Sequence, residues 1–296
     1  MPRTIVGVPV FNGVSLIRRC LENLTAHQLE DVEIILSDNA STDGTSEICA
    51  EFADRDRRFR HVRHATTSSA NDNFRSVRDA ADCEFFAFRA YDDLSSPGYF
   101  SKLSDLLKTN SDMRLAVGNV RQDFGPEIGM REVPWISDPA TETGQAAQRI
   151  IHRMFACYPA WFYGLWRKAA LTEAFERVLS QYDDLWASDH LILLHAILAD
   201  GVAGTSDPEI EFLQGVLPGP SHYGSSRRPP WSVMKDRNTR FLACARDLLT
   251  ETDMAAPDKR AIDKVLQKYT YKRCYPWRRV AKAKLRTILG IEKQAT

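Results

Sequence analysis

Short apolar runs recur through the N-terminal third of the chain, and segments of helical periodicity separate them. Thr4–Phe11 is β-branched and apolar, with Pro9 near its end, where a missing donor is tolerated. Val32–Ser37 repeats that character, Arg60–His64 is shorter, and the run from Phe85 ends in the paired acids Asp92 and Asp93. Between them, Ser15–Thr25 sets Leu16, Ile17, Cys20, Leu21 and Leu24 on one helical face. A second helix turns Ile48, Cys49 and Phe52 inward, and a third, Asn73–Ala81, does so with Phe74 and Val77. Strand alternating with helix predicts an α/β fold, a mainly parallel sheet with right-handed crossovers and helices on both faces. Pro97–Thr109 reads as the next helix and Leu115–Gln122 as the next strand.

Beyond the Gly125–Thr143 loop, with Pro126, Pro134 and Pro139, the pattern loosens. The spacing predicts helices at 144–155, Ala169–Leu179 and Asp189–Leu198, and an aromatic strand at Trp161–Trp166. Gly215–Trp231, rich in Gly, Pro and Ser, reads as a loop before helices at Val233–Leu249 and Pro257–Tyr269.

The 296 residues balance to zero formal charge, so no global basic field favours nucleic acid. The charge is uneven, however. From Tyr271 to Thr296 eight Lys or Arg stand against one Glu, which leaves the remainder acidic by seven. Tyr271, Tyr275, Trp277, Val280, Leu285, Ile288 and Leu289 interleave with those bases. Such a segment either lies in an anionic membrane interface or packs as a helix on the acidic body. Six scattered cysteines at neither zinc nor redox spacing read as reduced, mostly buried thiols. No apolar run approaches the roughly 20 residues that span a bilayer, and the first strand leaves no room for a signal peptide. The expected location is cytoplasmic, and peripheral on the inner membrane face if residues 271–296 lie in the interface and do not pack on the body.

Acids mark the ends of predicted elements. Asp38 closes the second strand, Asp92 and Asp93 follow the fourth, and Asp189 opens a late helix. In an open α/β sheet, ligands bind beyond the carboxyl ends of strands. Carboxylates there suit a hard cation that also holds phosphates. Each position also has a plainer reading. Asp38-Asn39 and Asp92-Asp93 are good turn formers, Phe11 suits a core, and Asp189 suits a first helical turn.

The ordered set resembles the family 2 glycosyltransferases of GT-A fold. Val8-Pro9-Val10-Phe11-Asn12 is similar to the family's opening segment, and Ser37-Asp38-Asn39-Ala40-Ser41-Thr42-Asp43-Gly44-Thr45 to its acidic loop. Tyr91-Asp92-Asp93 stands where the family has its metal motif, and Ala187-Ser188-Asp189-His190 where it carries the catalytic base. The resemblance implies a GT-A (Rossmann-like) domain over 1–214, nucleotide-sugar-binding to residue 122 and acceptor-binding after it, with a C-terminal helical extension over 215–296. It implies that Pro9, Phe11, Asp38, Asn73 and Asp92 bind the nucleotide sugar and that Asp93 and Asp92 hold Mn²⁺ or Mg²⁺. Phe11 would stack on the base, and Asp38 would accept from N3–H of uracil or thymine. Asp189 would take the acceptor proton in an inverting transfer of one sugar to a glycan or lipid-linked acceptor. A helix N-terminus would lower the Asp189 pKa unless desolvation opposed it. Asp183, Asp184 and His190 are the other candidates for the base, and His222 could meet the diphosphate.

Tyr91 replaces a leading acid in the metal motif, and no Gln-x-x-Arg-Trp segment follows, which argues against a processive synthase. Two rivals stand beside the transferase: a non-catalytic nucleotide-sugar-binding or scaffold subunit, and a sugar-phosphate nucleotidyltransferase. The second lacks the Gly-rich basic loop it would need after the first strand.

Overall fold

A computed structural model describes residues 4–27, 31–123, 129–133, 146–215 and 229–289. His222, Pro126, Pro134, Pro139 and most of Gly215–Trp231 lie outside the described residues. In chain order the elements are β1 (Thr4–Val10), α1 (Ile17–Thr25), β2 (Val32–Asp38), α2 (Thr45–Arg55), β3 (Phe59–Arg63), α3 (Ala70–Asp79), β4 (Phe85–Phe88), β5 (Leu94–Ser95) and α4 (Tyr99–Thr109). Next come β6 (Leu115–Val117), β7 (Asn119–Asp123), β8 (Met130–Val133), α5 (Ala146–Ala156), β9 (Leu165–Arg167), α6 (Lys168–Leu179) and α7 (Ser188–Leu198). The chain then runs through β10 (Val202–Gly204), β11 (Glu211–Gln214), α8 (Trp231–Thr250), α9 (Ala256–Arg273) and α10 (Trp277–Ile288).

The chain forms two compact units. The first comprises 1–143, 158–173 and 201–220 and holds both sheets. The larger sheet runs β10-β6-β9-β4-β1-β2-β3, and only β9 is antiparallel to its neighbours, so the sheet is mixed and mainly parallel, as expected. β1 is buried at every position, as a central strand covered on both faces must be. It pairs with β4 only over Thr4–Gly7, so Pro9 withholds no ladder hydrogen bond from that side. The core beside the sheet is aromatic: Phe88 stacks on Phe162 at 5.2 Å and meets Phe74 and Phe86 at 4.9 Å.

Three expectations are corrected here. Leu115–Gln122 is not one strand: it breaks at Gly118, where a Cβ would stand 2.7 Å from the Ile210 carbonyl oxygen. The chain passes there from β6 into a second sheet, β5-β11-β7-β8. The aromatic strand at Trp161–Trp166 is instead a 3₁₀ turn over Pro159–Tyr163 followed by β9, because Pro159 opens a helical turn and Trp161 and Phe162 are buried in it. The fourth predicted strand stops at Phe88, so Asp92 and Asp93 lie in the turn beyond it.

The second unit, 144–157, 174–200 and 221–296, is helical where described. Its centre is α7, buried along Leu191–Leu194 and Ala196–Leu198. α9 extends to Arg273, beyond the expected end at Tyr269. Tyr269 is wholly buried, and its hydroxyl donates to the His190 carbonyl (3.1 Å). The Arg273 guanidinium donates to the Met154 carbonyl (2.7 Å), and Cys274 and Tyr275 are buried. The basic segment therefore divides: residues up to Tyr275 pack within the unit, whereas α10 buries none of its side chains. All six cysteines are free of disulfides and five are buried.

Candidate active site

Parallel pairing of β1 with β2 sets Val10 opposite Asp38 and brings two loops together. The N–H groups of Asn12, Gly13 and Val14 donate to Ser41 Oγ (2.9 Å), Thr45 Oγ1 (2.8 Å) and Asp43 Oδ2 (3.1 Å). Thr42 N–H returns a bond to Asn12 Oδ1 (2.9 Å), and the Thr45 hydroxyl donates to Asp43 Oδ1 (2.6 Å). Gly44 sits at φ 99°, which a residue with a side chain adopts only under strain. Most of the acidic-loop motif is thus spent on joining loops. Asn39 ties Ser68 on both its amide atoms (2.9 Å each).

Asp38 is the exception. It is fully buried, and its Oδ1 accepts from Ser41 N–H (2.9 Å). Oδ2 makes no hydrogen bond; Arg63 Nε stands 3.5 Å from it and His61 Nε2 3.8 Å. Burial pushes its carboxyl up, but the polar side chains of His61, Ser41 and Ser46 outweigh burial and hold it well below the usual carboxylate range. Oδ2 thus has cationic or polar neighbours but no hydrogen bond, and it can accept one from a ligand. Phe11, beyond the end of β1, is 42 % exposed and so is not core. Pro9 is buried within β1. Asn73 is buried beside the same strand ends. Its Oδ1 accepts from Ser37 Oγ (2.6 Å), and its amide donates to the Ser37 carbonyl (3.3 Å) and the Val10 carbonyl (3.5 Å).

The paired acids sit in a turn closed by Asp93 N–H to the Ala90 carbonyl (3.1 Å). Asp93 is 3 % exposed, and its Oδ1 accepts from Gly215 N–H (2.9 Å). Burial, then the charge of Asp92, push its carboxyl up to about 7, against the Gly215 N–H and Arg89. Arg89 was not singled out by the sequence reading. Its guanidinium is fully buried between the Phe100 (5.4 Å) and Phe212 (5.1 Å) rings, donates to the Asp93 carbonyl (3.4 Å) and bonds Ser95 Oγ. The only cue was a charge inside an apolar run. No group of three metal-ligating side chains occurs among the described residues. Two adjacent carboxylates nevertheless fit a cation that keeps waters and substrate phosphates as its other ligands.

Asp189 lies in the second unit, in the first turn of α7, after Ala187 at φ 65°. It is half-buried, and its Oδ1 accepts from His190 N–H (2.9 Å). Burial pushes its carboxyl up to about 6, against the His190 N–H and Arg273. Desolvation thus overrides the lowering expected from the helix N-terminus. His190 is pushed down to about 3, chiefly by burial, and is neutral at working pH. Asp184 is engaged by Arg237 Nε (2.6 Å), and Asp183 is exposed with Arg240 at 3.3 Å.

The profile described as glycosyl transferase family 2 matches residues 5–163. The chain belongs to this family. The match takes in Phe11, Asp38, Asn73, Asp92 and Asp93, and ends before Asp189. Among curated family members, an uncharacterized glycosyltransferase of Bacillus subtilis, EpsJ, is 28 % identical over 113 residues, 37 % of this chain and 32 % of that protein. The GalNAc(5)-diNAcBac-PP-undecaprenol β-1,3-glucosyltransferase of Campylobacter jejuni is 29 % identical over 120 residues, 40 % of this chain and 38 % of that one. These alignments span about a third of the relatives' lengths. Among solved structures, Staphylococcus aureus TarS 1–349 in complex with UDP-GlcNAc gives a TM-score of 0.69 at 14 % identity, covering 91 % of this chain and 73 % of that one. The mannosyltransferase PcManGT from Pyrobaculum calidifontis, in complex with GDP-Man and Mn²⁺, gives 0.55 at 17 % identity, covering 99 % and 76 %. At these identities the likeness is one of fold, and the GT-A architecture of this family 2 glycosyltransferase is secure on it.

Proposed function

We propose that this family 2 enzyme moves a single sugar from a UDP- or dTDP-sugar to a hydroxyl acceptor, with inversion at the anomeric carbon. The carrying observation is Asp38 Oδ2: buried, ionised and without a hydrogen bond, near the end of the strand that leads to exposed Phe11. An imide N3–H supplies the missing donor, whereas the N3 of cytosine is an acceptor and repels the carboxylate. Phe11 offers its ring to the base, and Asp92 and Asn73 lie toward the ribose. Asp93 and Asp92 would hold Mn²⁺ or Mg²⁺, which when bound neutralises charge on the departing diphosphate. Asp189, with its raised carboxyl, takes the proton of the attacking hydroxyl.

The proposed acceptor is lipid-linked or part of a cell-surface glycan. Among the described residues no helix is long and apolar enough to cross a membrane. On α10, however, the exposed apolar side chains of Trp277, Leu285 and Ile288 stand among Arg278, Arg279, Lys282, Lys284 and Arg286, and none of the helix's residues is buried. That composition suits peripheral contact with anionic lipid.

A thermal-shift series of UDP, dTDP, GDP and CDP with Mn²⁺ tests the pocket. Uridine or thymidine diphosphate should stabilise the protein most. Losing a charge-assisted hydrogen bond costs about 1.5–3 kcal/mol, so Asp38→Ala should weaken UDP at least about tenfold. Tight GDP binding without UDP binding would overturn this reading.

A further inference from the structure

Trp186 precedes Asp189 by three residues, and the turn between them is closed by hydrogen bonds from His190 N–H to the Ala187 carbonyl (3.2 Å) and from Ser188 Oγ to the Leu185 carbonyl (3.4 Å). Its indole is held at one face and at its N–H. One face stacks on Tyr275 at 4.7 Å and 3° from parallel, and Nε1 donates to the Cys274 carbonyl (3.1 Å). Its backbone is equally held: the N–H donates to Asp184 Oδ1 (2.9 Å), and the carbonyl accepts from Tyr182 Oη (2.7 Å). The supports are themselves anchored. Arg237 bonds both Asp184 (2.6 Å) and the Tyr275 hydroxyl (2.9 Å), and Asn238 pairs with the Tyr275 backbone through two bonds of 3.0 Å. Tyr275 is buried, yet Trp186 remains 41 % exposed.

A tryptophan whose donor is satisfied and whose one face is packed has only its other ring face left to offer. That face is apolar, flat and negatively polarised, and no side-chain entropy remains to be lost when something covers it. We propose that the open face of Trp186 is a platform for a pyranose ring of the acceptor. The C–H groups on one side of a pyranose present a flat, positively polarised surface that matches an indole. Trp186 stands three residues before Asp189, which on the transferase reading must receive an acceptor proton. The inference rests on the transferase reading only for the identity of the ligand as acceptor; sugar binding itself can be tested without it.

The test is saturation-transfer NMR with the methyl pyranosides of glucose, galactose and N-acetylglucosamine. At least one should receive saturation at its ring C–H protons, and that signal should be lost in Trp186→Ala. Because removing the indole also strips a partner from Tyr275, Trp186→Phe is measured beside it. Phe keeps the stack but shrinks the open face, and binding should weaken about three- to tenfold. Thermal unfolding shows that both variants are folded, and slow UDP-sugar hydrolysis without acceptor is measured in wild type. Absence of pyranoside binding to wild type, or equal binding by wild type and Trp186→Phe, overturns the platform. Absence of hydrolysis in wild type counts instead against the transferase reading.

Discussion

Asp189, the proposed base, has a raised carboxyl pKa that ties its protonation to stability. Its folded pKa, about 6, lies above the usual carboxylate value. The folded state therefore holds this proton more tightly than the unfolded chain. The associated stability is complete below about pH 4 and is lost as pH rises through about 6. Asp189→Asn should then unfold at higher temperature than wild type at pH 8, by the equivalent of about 1–3 kcal/mol, with the gap closing near pH 4. The same variant should lose about 10²–10⁴ in turnover while donor affinity holds. Wild-type turnover should fall as pH drops below about 6. Thermal unfolding at the two pH values and a pH–rate profile check both halves. The acid was legible in the sequence, but its environment was not. α9 brings Tyr269 onto the His190 carbonyl and sets Arg273 against the rise in pKa, neighbours that sequence distance hides.

At the scale of elements, the stretch from Ser37 to Thr45 was legible for order and spacing, while the work of each residue was not. Thr45 both donates to Asp43 and accepts from Gly13 N–H, so it joins the loop after β1 to the loop after β2. Thr45→Val keeps the shape and leaves a buried N–H without a partner. It should cost about 1–3 kcal/mol in urea unfolding and weaken UDP indirectly, through the placement of Phe11 and Asp38. The long strands and amphipathic helices followed from periodicity. β6 and β7 read as one strand, and β5, β10 and β11 were not read at all, because runs of two to four residues carry too few alternations to declare a period. Only Gly118 hinted at the switch of sheets, and its reason is the Ile210 carbonyl, far along the chain.

For the whole molecule, charge composition located the basic C-terminal segment but could not say where packing ends. The packed part includes Arg273 and Tyr275, and α10 begins after Pro276. Ending the chain after Pro276 should leave a folded protein that no longer sediments with anionic vesicles. Ending it after Thr270 should unfold the second unit, because Tyr275 then leaves Asn238 and Trp186. Vesicle binding that survives loss of α10 would remove that helix from the account. The two units carry different halves of the proposed chemistry, the donor residues in the first and the base in the second. Donor chemistry can therefore be measured without knowing the acceptor. The most direct test of the account is UDP release from a series of UDP- and dTDP-sugars with Mn²⁺, in wild type and in Asp93→Asn. The account predicts slow, chelator-sensitive release from at least one donor by wild type and none by folded Asp93→Asn. Equal release by the two proteins, or full release in excess chelator, would contradict it.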